Sequence, residues 1–301
     1  MTAPAPQTRL RAGRSSETAH LTARARAADA VIEPGRRLLS DTYAHLFVTV
    51  PPPATSEEAL DRLQRLDRAH GGFLAEILLR QRRFEDLVAL AVEAGTRQVL
   101  LLGAGYDTTA LRFRGTEDVR FFEVDHPATQ AEKARTLAEA GVRTDAVVSV
   151  PFDFTAGASL RDALSARGFD HAAPCVVGWL GVTFFLPVQA CRSTFAELAA
   201  AVAPGSLLLF DYMDESVVDG TSRYEGALAM ARQVAEQGEP YVHGMTPRSA
   251  AATARAAGFE PLEQLRVPDL VRRYGGDEPY CSDDDFMGLV TARREPSGRD
   301  H

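Results

Sequence analysis

Hydrophobic and polar residues follow one pattern in the first third of this chain and another pattern after Gly95. Before that glycine, apolar residues recur every three or four positions, which is the spacing of helices with one buried face. After it, short apolar runs alternate with amphipathic stretches, as in a parallel sheet that helices cover on both faces. The pattern predicts an α/β protein with a helical N-terminal part.

The helical part divides into several elements. An alanine-rich run opens at Ser16, whose side chain can cap a helix. A longer stretch with leucines at helical spacing is broken by Gly71 and Gly72, which predicts two helices. In chain order, the predicted elements are a helix over 16–30, a short element within 38–48, and the two helices of 56–94.

Five buried strands are predicted after Gly95, and a less regular C-terminal third holds two more. The segment 214–246 lacks strand signals and is interpreted as a lid. The predicted strands are 98–102, 119–124, 146–150, 175–179, 206–212, 262–267 and 286–292, and the main helices between them are 127–140, 159–167, 187–202 and 246–257.

These elements divide the chain into three parts. Residues 1–15 are predicted to be a disordered leader, because they are rich in Pro, Ala, Thr and Arg and have no hydrophobic period. Residues 16–94 form a helical cap, and residues 95–301 form the α/β core with the lid at about 214–246.

Composition narrows the function classes. With 301 residues, of which 45% are hydrophobic, the chain can bury a core without disulfides or a metal. Its net charge of −8 and its lack of a long apolar run indicate neither a nucleic-acid nor a membrane partner. The cysteines, Cys175, Cys191 and Cys281, are widely spaced, so neither a disulfide framework nor a zinc site is expected. We therefore expect a cytoplasmic protein that holds no metal.

The strongest chemical signal is QVLLLGAGYDTTALRF, where the first strand meets Gly103, Ala104 and Gly105 and then a helix. Glycine permits a sharp turn there and leaves backbone N–H groups open to a ligand. The next strand ends in FFEVDHP, which places Asp125 or Glu123 where an acid can accept hydrogen bonds from two ribose hydroxyls. Asp125 is preferred because it lies nearer the strand end. The alternative is a purely structural turn.

The turn departs from the fingerprint of dinucleotide-binding proteins. It carries Gly-x-Gly-x-Asp, and Thr108 stands where a third small residue would let a pyrophosphate pack closely. The charge of Asp107 would repel a pyrophosphate but tolerates a cationic amino-acid tail. These two residues favour S-adenosylmethionine over NAD as the ligand.

Four segments extend this signal: RQRRFEDLVALAVEAGTRQVLLLGAGYDTTALRF, FFEVDHPATQAEK, VPFDF and WLGVTFFLP, in that order. Together they resemble the leucine carboxyl methyltransferase-like family of class I S-adenosylmethionine-dependent methyltransferases, which includes bacterial small-molecule O-methyltransferases. The resemblance covers residues 17–212 and implies a Rossmann-like fold with a seven-stranded, mostly parallel sheet.

The resemblance also implies roles for individual residues. Arg82 would pair with the methionine carboxylate of the cofactor, since a guanidinium fork suits a carboxylate. Asp125 would bind the ribose, and Asp153 would accept from the adenine amino group. Without the resemblance, Arg82 reads as a solvated arginine and Asp153 as a helix cap. The implied cofactor-binding set is Arg82, Gly103, Ala104, Gly105, Asp125, His126, Asp153, Phe154, Trp179 and Leu180.

One departure from the family concerns the cofactor's ammonium group. Many members have a Glu-Gly pair after the fourth strand and a tyrosine shortly after it, where this chain has Leu180-Gly181 and Phe185. The partner of the ammonium group is then expected to be Asp107 or backbone carbonyls near Gly178.

The methyl acceptor should lie outside the carboxyl ends of the parallel strands. Aromatic side chains there suit a flat or apolar substrate, although they could equally form the core of a small cap. A catalytic base is not assigned, since a carboxylate acceptor needs none. The predicted substrate-binding residues are Tyr43, Thr183, Phe184, Tyr241 and His243.

The sequence therefore predicts an S-adenosylmethionine-dependent O-methyltransferase that acts on a carboxylate or hydroxyl of a small molecule, a bacterial secondary metabolite. Two alternatives stay open, an NAD-dependent oxidoreductase and a cofactor-binding protein without catalysis. A homodimer is also an open expectation.

Overall fold

The computed structural model describes residues 17–113, 118–154, 156–275 and 284–296, so the predicted leader lies outside the described residues. Seven strands are present in these parts of the chain. Their bounds are β1 Gln98–Leu102, β2 Arg120–Asp125, β3 Val147–Pro151, β4 Val176–Trp179, β5 Leu207–Met213, β6 Phe259–Arg266 and β7 Met287–Arg294.

Helices connect and cover the strands. The α-helices are α1 Glu17–Asp29, α2 Ser56–Ala69, α3 Phe73–Glu93, α4 Thr109–Arg112, α5 Pro127–Glu139, α6 Leu160–Ser165, α7 Val188–Ala201, α8 Glu215–Asp219, α9 Glu225–Glu236, α10 Pro247–Ala256 and α11 Val267–Leu270. Short 3-10 turns cover Ala44–Phe47 and Thr183–Phe185, and a π-helical turn covers Val271–Gly275.

The strands form one sheet in the order β3–β2–β1–β4–β5–β7–β6. Neighbours from β3 to β5 are parallel, and β7 runs antiparallel between β5 and β6. The predicted seven-stranded, mostly parallel Rossmann-like sheet is confirmed. Because the chain leaves β1 toward β2 on one side and returns to β4 on the other, a crevice opens at the carboxyl ends of β1 and β4.

The sheet is buried on both faces, as the continuous apolar strands require. Along β1, Val99 and Leu101 belong to the apolar layer that contains α3, whereas Leu100 and Leu102 belong to the layer of α6 and α7. This alternation follows from the two-residue period of a strand. In the described parts of the chain, no helix combines the length and the apolar content needed to cross a membrane.

The segment interpreted as a lid, 214–246, contains α8 and α9 and a loop that returns to the sheet, where Met245 bridges Asp214. The backbone of α9 approaches the α2–α3 connection closely, since a Cβ on Gly226 would lie 2.5 Å from Gly71 Cα. Its action as a lid stays a prediction.

A buried ionic network attaches α1 to the rest of the protein. Arg26 donates to Asp41 Oδ2 at 2.6 Å and to the carbonyl oxygen of Tyr106 at 2.7 Å. Asp41 is 1% exposed and also accepts from Thr108 Oγ1 at 2.7 Å. Burial alone would raise the pKa of Asp41, but the charges of Arg26 and Arg112 hold it below its usual value. The network therefore keeps an ionised carboxylate inside the protein.

Asp41→Ala should destabilise the protein by roughly 3–5 kcal/mol, because it leaves Arg26 buried without its anion. The free energy of unfolding in urea measures this loss. The matched control is Asp61→Ala, since the Asp61 side chain is 51% exposed in its pair with Arg65. That control should change the free energy by less than about 0.5 kcal/mol. Equal losses in both variants would contradict a stabilising role for the buried network.

Candidate functional site

A cavity of about 560 Å³ opens at the carboxyl ends of β1 to β4. This volume lies within the range of about 300–1,000 Å³ that small-molecule sites occupy. The turn after β1 forms one wall, and Thr18, Ala19, Thr22 and Arg26 of α1 form another. The site is therefore enclosed between the sheet edge and the N-terminal helix.

The turn after β1 requires glycine. Gly103 has a φ of +69°, and a Cβ at this position would lie 2.4 Å from Cγ2 of Val182. The N–H groups of Gly103 and Ala104 donate to the carbonyl oxygen of Val124 at 2.8 and 3.2 Å, which ties the turn to β2. The backbone of Gly103, Ala104 and Gly105 lines the cavity directly.

Asp125 is fixed at the tip of β2. Its Oδ2 accepts from Gly105 N–H at 2.5 Å and its Oδ1 from His126 N–H at 2.6 Å. Burial raises the pKa of Asp125, and the two N–H donors oppose that shift. Glu123, the other candidate acid, is 4% exposed and pairs with Lys133 at 2.6 Å inside the protein. The structure therefore brings Asp125, and not Glu123, to the cavity.

Asp153 and Phe154, which follow β3, line the cavity, and their predicted role in binding the adenine stays a prediction. The ring of Phe154 packs edge-on against Phe152, with ring centroids 5.2 Å apart. His126 also lines the cavity, and its Nδ1 accepts from Ala128 N–H at 3.2 Å. In the structure, His126 therefore caps α5.

The structure does not bring Arg82 to the cavity. Its side chain is 44% exposed, pairs with Asp86 at 3.0 Å and donates to the carbonyl oxygen of Leu38. The arginine of α3 that lines the cavity is Arg80. Residues two positions apart on a helix are rotated by about 200° about its axis, so Arg80 and Arg82 face nearly opposite ways. The sequence signal was present, because Arg80 shares the buried stripe of Ile77 and Phe84.

Trp179 is a second correction. It is fully buried and packs edge-on against Phe195 of α7, with ring centroids 4.9 Å apart, and it does not line the cavity. Gly178 and Leu180, its neighbours along the strand, line the cavity instead. The reason is the alternation of side chains along a strand.

None of the five predicted substrate-binding residues lines the cavity. Thr183 is fully buried and donates through Oγ1 to the carbonyl oxygen of Asp211 at 2.6 Å. Phe184 is core and packs against the buried ring of Tyr241, with centroids 5.2 Å apart. His243 is half-buried and donates its backbone N–H to the Phe184 carbonyl, and Tyr43 precedes the 3-10 turn of residues 44–47. Of these residues, Tyr241 also packs against Phe185, which lines the cavity, with ring centroids 5.3 Å apart.

The sequence analysis missed one wall of the cavity. Thr18, Thr22 and Arg26 lie four residues apart on α1, so they form a polar stripe on one helix face. Glu239, after α9, lies beside this stripe and accepts from Thr18 Oγ1 at 2.6 Å. The four-residue spacing was a readable signal, whereas the approach of Glu239 depends on the tertiary fold.

Arg80 lies between two buried acids. Its Nη1 is 3.0 Å from Glu76 Oε2 and 2.8 Å from Asp211 Oδ2. One guanidinium cannot neutralise the charges of two carboxylates. Burial and the negative charge of Asp211 raise the pKa of Glu76 to about 8, although the positive charge of Arg80 opposes this shift. Burial raises the pKa of Asp211 as well, but Arg80 and the N–H of Gly181 both stabilise its carboxylate, so Glu76 is the acid of this pair that keeps its proton near neutral pH.

The model of the leucine carboxyl methyltransferase family matches residues 19–199. The chain belongs to this family. It is 31% identical to a protein of Mycolicibacterium vanbaalenii over 258 residues, and this alignment covers 79% of this chain and 80% of that protein. It is 32% identical to a Bacillus subtilis protein over 58% of either chain. Both relatives are provisionally named S-adenosyl-L-methionine-dependent methyltransferases.

Solved structures share the fold. A DUF574 family protein from Streptomyces avermitilis superposes with a TM-score of 0.60 at 19% identity, over 94% of this chain and 99% of that one. A Thermobifida fusca protein, provisionally named a methyltransferase, gives a TM-score of 0.56 at 17% identity, over 98% and 100%. At these identities the likeness concerns the fold alone.

Family membership identifies the protein as an S-adenosylmethionine-dependent methyltransferase, and its cofactor therefore as S-adenosylmethionine. NAD is therefore set aside. The residues present fit this cofactor, because the cavity offers an open glycine backbone, the acid Asp125 and, at Arg80, a cation that suits a carboxylate. Asp107 and Gly178 also line the cavity, so both predicted partners of the ammonium group, Asp107 or the backbone carbonyls near Gly178, stay predictions.

Arg80→Lys should weaken the binding of S-adenosylhomocysteine roughly tenfold or more, because lysine keeps the charge but loses the guanidinium fork. Arg82→Lys makes the same change on the exposed side of α3 and should alter the dissociation constant less than about twofold. Titration calorimetry measures both. The opposite ranking would return the role to Arg82.

Glu76→Gln should make stability less dependent on pH. Between its unfolded pKa, about 4.3, and about 8, Glu76 holds a proton in the folded state that the unfolded chain has lost. Its contribution to stability is therefore full below this window and falls as pH rises through it, by up to about 1.4 kcal/mol per pH unit. Urea unfolding at pH 5 to 8 should show a shallower decline for Glu76→Gln, and an unchanged one for Glu93→Gln at the exposed end of α3. Identical slopes in all three proteins would contradict a proton on Glu76.

Proposed function

We propose that this chain is an O-methyltransferase that transfers the methyl group of S-adenosylmethionine to an oxygen of a small molecule. The family resemblance supports oxygen as the acceptor atom, and a bacterial secondary metabolite is the proposed substrate. The observation that carries the proposal is the extent of the cavity beyond the ends of β1 to β3, under α1.

The cavity lining extends beyond the residues that the cofactor would use. Gly103, Asp125 and Asp153 follow β1, β2 and β3, and they are the residues proposed for the adenosyl part of the cofactor. The loop after β4, with Phe185, and Glu239 after α9 line the same cavity. A small acceptor can therefore share one cavity with the cofactor.

When bound, S-adenosylmethionine supplies a methyl group on a sulfonium, whose positive charge disappears on transfer. The chain's own task is to align the acceptor and to exclude water, which accounts for much of the rate of such a displacement. Ile77, Leu180 and Val182 give the cavity apolar walls, and α1 covers it.

Glu239 distinguishes the two kinds of acceptor oxygen. A hydroxyl must lose a proton, and a carboxylate side chain in the cavity can accept it. A carboxylate acceptor would instead meet a like charge, while the cation on the same wall, Arg26, is already paired with Asp41. Within the proposal, this favours a hydroxyl acceptor over a carboxylate.

The experiment supplies S-adenosylmethionine with a labelled methyl group and matched pairs of aromatic acids and phenols. Mild alkali then separates the products, since a methyl ester releases labelled methanol and a methyl ether does not. We expect label in the alkali-stable fraction, reduced by roughly 100-fold or more in Glu239→Gln. Glu236→Gln, at the exposed end of α9, is the matched control and should keep the wild-type rate.

Each other outcome is informative. Labelled methanol would show a carboxylate acceptor and remove the role of Glu239. Transfer that resists alkali but is equal in both variants would leave Glu239 without a part in proton removal. Binding of S-adenosylhomocysteine with no transfer to any acceptor would support the catalytically silent alternative.

A further inference from the structure

Asp211 contacts two separate pieces of the cavity wall. It lies in β5, has no exposed surface, and its Oδ2 is 2.8 Å from Nη1 of Arg80 on α3. Both of its carboxylate oxygens also accept from the backbone N–H of Gly181, at 2.9 Å each. Arg80 and Gly181 belong to elements far apart in the sequence, and both line the cavity. One buried carboxylate therefore fixes a side chain and a loop backbone together.

The two pieces are also packed against each other. Gly181 has a φ of +73°, and a Cβ at this position would lie 2.8 Å from Nη2 of Arg80. The guanidinium thus rests on the backbone of the loop after β4. A shift of either piece would displace the other.

The acids around Arg80 leave part of its guanidinium for the cavity. Glu76 and Asp211 both contact Nη1. Within the described ranges, Nη2 and Nε of Arg80 donate no hydrogen bond to the protein, and the residue lines the cavity. The two acids therefore hold the guanidinium through Nη1 and leave Nη2 and Nε available to a ligand.

The loop after β4 depends on backbone position for another reason. Leu180 has no polar side chain, so only the backbone groups of this segment can contact the ammonium end of the cofactor. Their placement follows from the hydrogen bond between Gly181 and Asp211. Loss of that hydrogen bond would move the backbone groups of Leu180 and Gly181, which lie where many family members have a glutamate side chain.

We propose that Asp211 is a positioning residue that holds Arg80 and the Leu180–Gly181 backbone in register for the amino-acid end of the cofactor. This rests on the proposed function, and in particular on Arg80 as the partner of the methionine carboxylate. Asp211 itself does not line the cavity.

Two ligands test this role without any methyl acceptor. S-adenosylhomocysteine carries the amino-acid end, and 5′-methylthioadenosine shares the adenosine and the sulfur but lacks that end. Asp211→Asn removes the charge that holds Arg80 while it keeps the size of the side chain. Calorimetry on the full chain should show at least tenfold weaker binding of S-adenosylhomocysteine and less than twofold change for 5′-methylthioadenosine.

The control disturbs the same strand without touching the Arg80–Gly181 contact. Thr183→Val removes the hydroxyl that donates to the Asp211 carbonyl at 2.6 Å, and it should change the affinity for both ligands by the same factor. Loss of 5′-methylthioadenosine binding together with a lowered Tm would show that Asp211→Asn does not fold. In that case Gly181→Ala is the variant to measure. Its Cβ pushes on Nη2 of Arg80 and should give the same selective loss.

Equal weakening of both ligands in a folded Asp211→Asn, or no weakening of either, would overturn the positioning role. In the Gly181→Ala arm, the same two results would overturn it. Failure of the wild-type protein to bind S-adenosylhomocysteine would instead overturn the proposed function, and the positioning role with it.

Discussion

The hydrogen bond from Gly105 N–H to Asp125 is the constraint on which the site depends. It joins the turn after β1 to the tip of β2 at 2.5 Å, beside the crevice at the carboxyl ends of β1 and β4. The turn needs glycine, since Gly103 has a φ of +69° and a side chain there would clash with Val182 of the loop after β4. An open backbone and a fixed carboxylate then face the same crevice, which is what an adenosine ligand requires.

Buried charge is the second organising feature. Arg26 with Asp41, and Arg80 with Asp211, place ionised groups where apolar residues would pack at lower cost, and the protonated acid Glu76 also contacts Arg80. Both groups lie at the cavity wall and tie distant segments together, α1 to the turn after β1 in one case and α3 to β5 in the other. They fix the orientation of the wall, and removal of one partner would leave the other charge buried and unpaired.

Much of the fold and part of the site could be predicted from the sequence. The strand β1 has the predicted bounds, and β2 to β5 are displaced by about one residue, because apolar runs define a buried strand but not its last hydrogen bond. Asp125 and Asp153 line the cavity, since residues that follow parallel strands share one edge of the sheet. Arg82 does not line it, because Arg80 and Arg82 are about half a helical turn apart and only one of them can face inward.

The sequence by itself determined the succession of strands and helices along the chain, the glycine turn after β1 and the acids at the ends of the strands. These follow from local periodicity and from backbone conformations that only glycine adopts readily. Tertiary structure alone decided that Arg80 meets Asp211, that Glu239 reaches Thr18, and that Tyr241 packs against Phe185. Those contacts join residues far apart along the chain, and their partners are selected by packing and charge compensation, which no local pattern encodes.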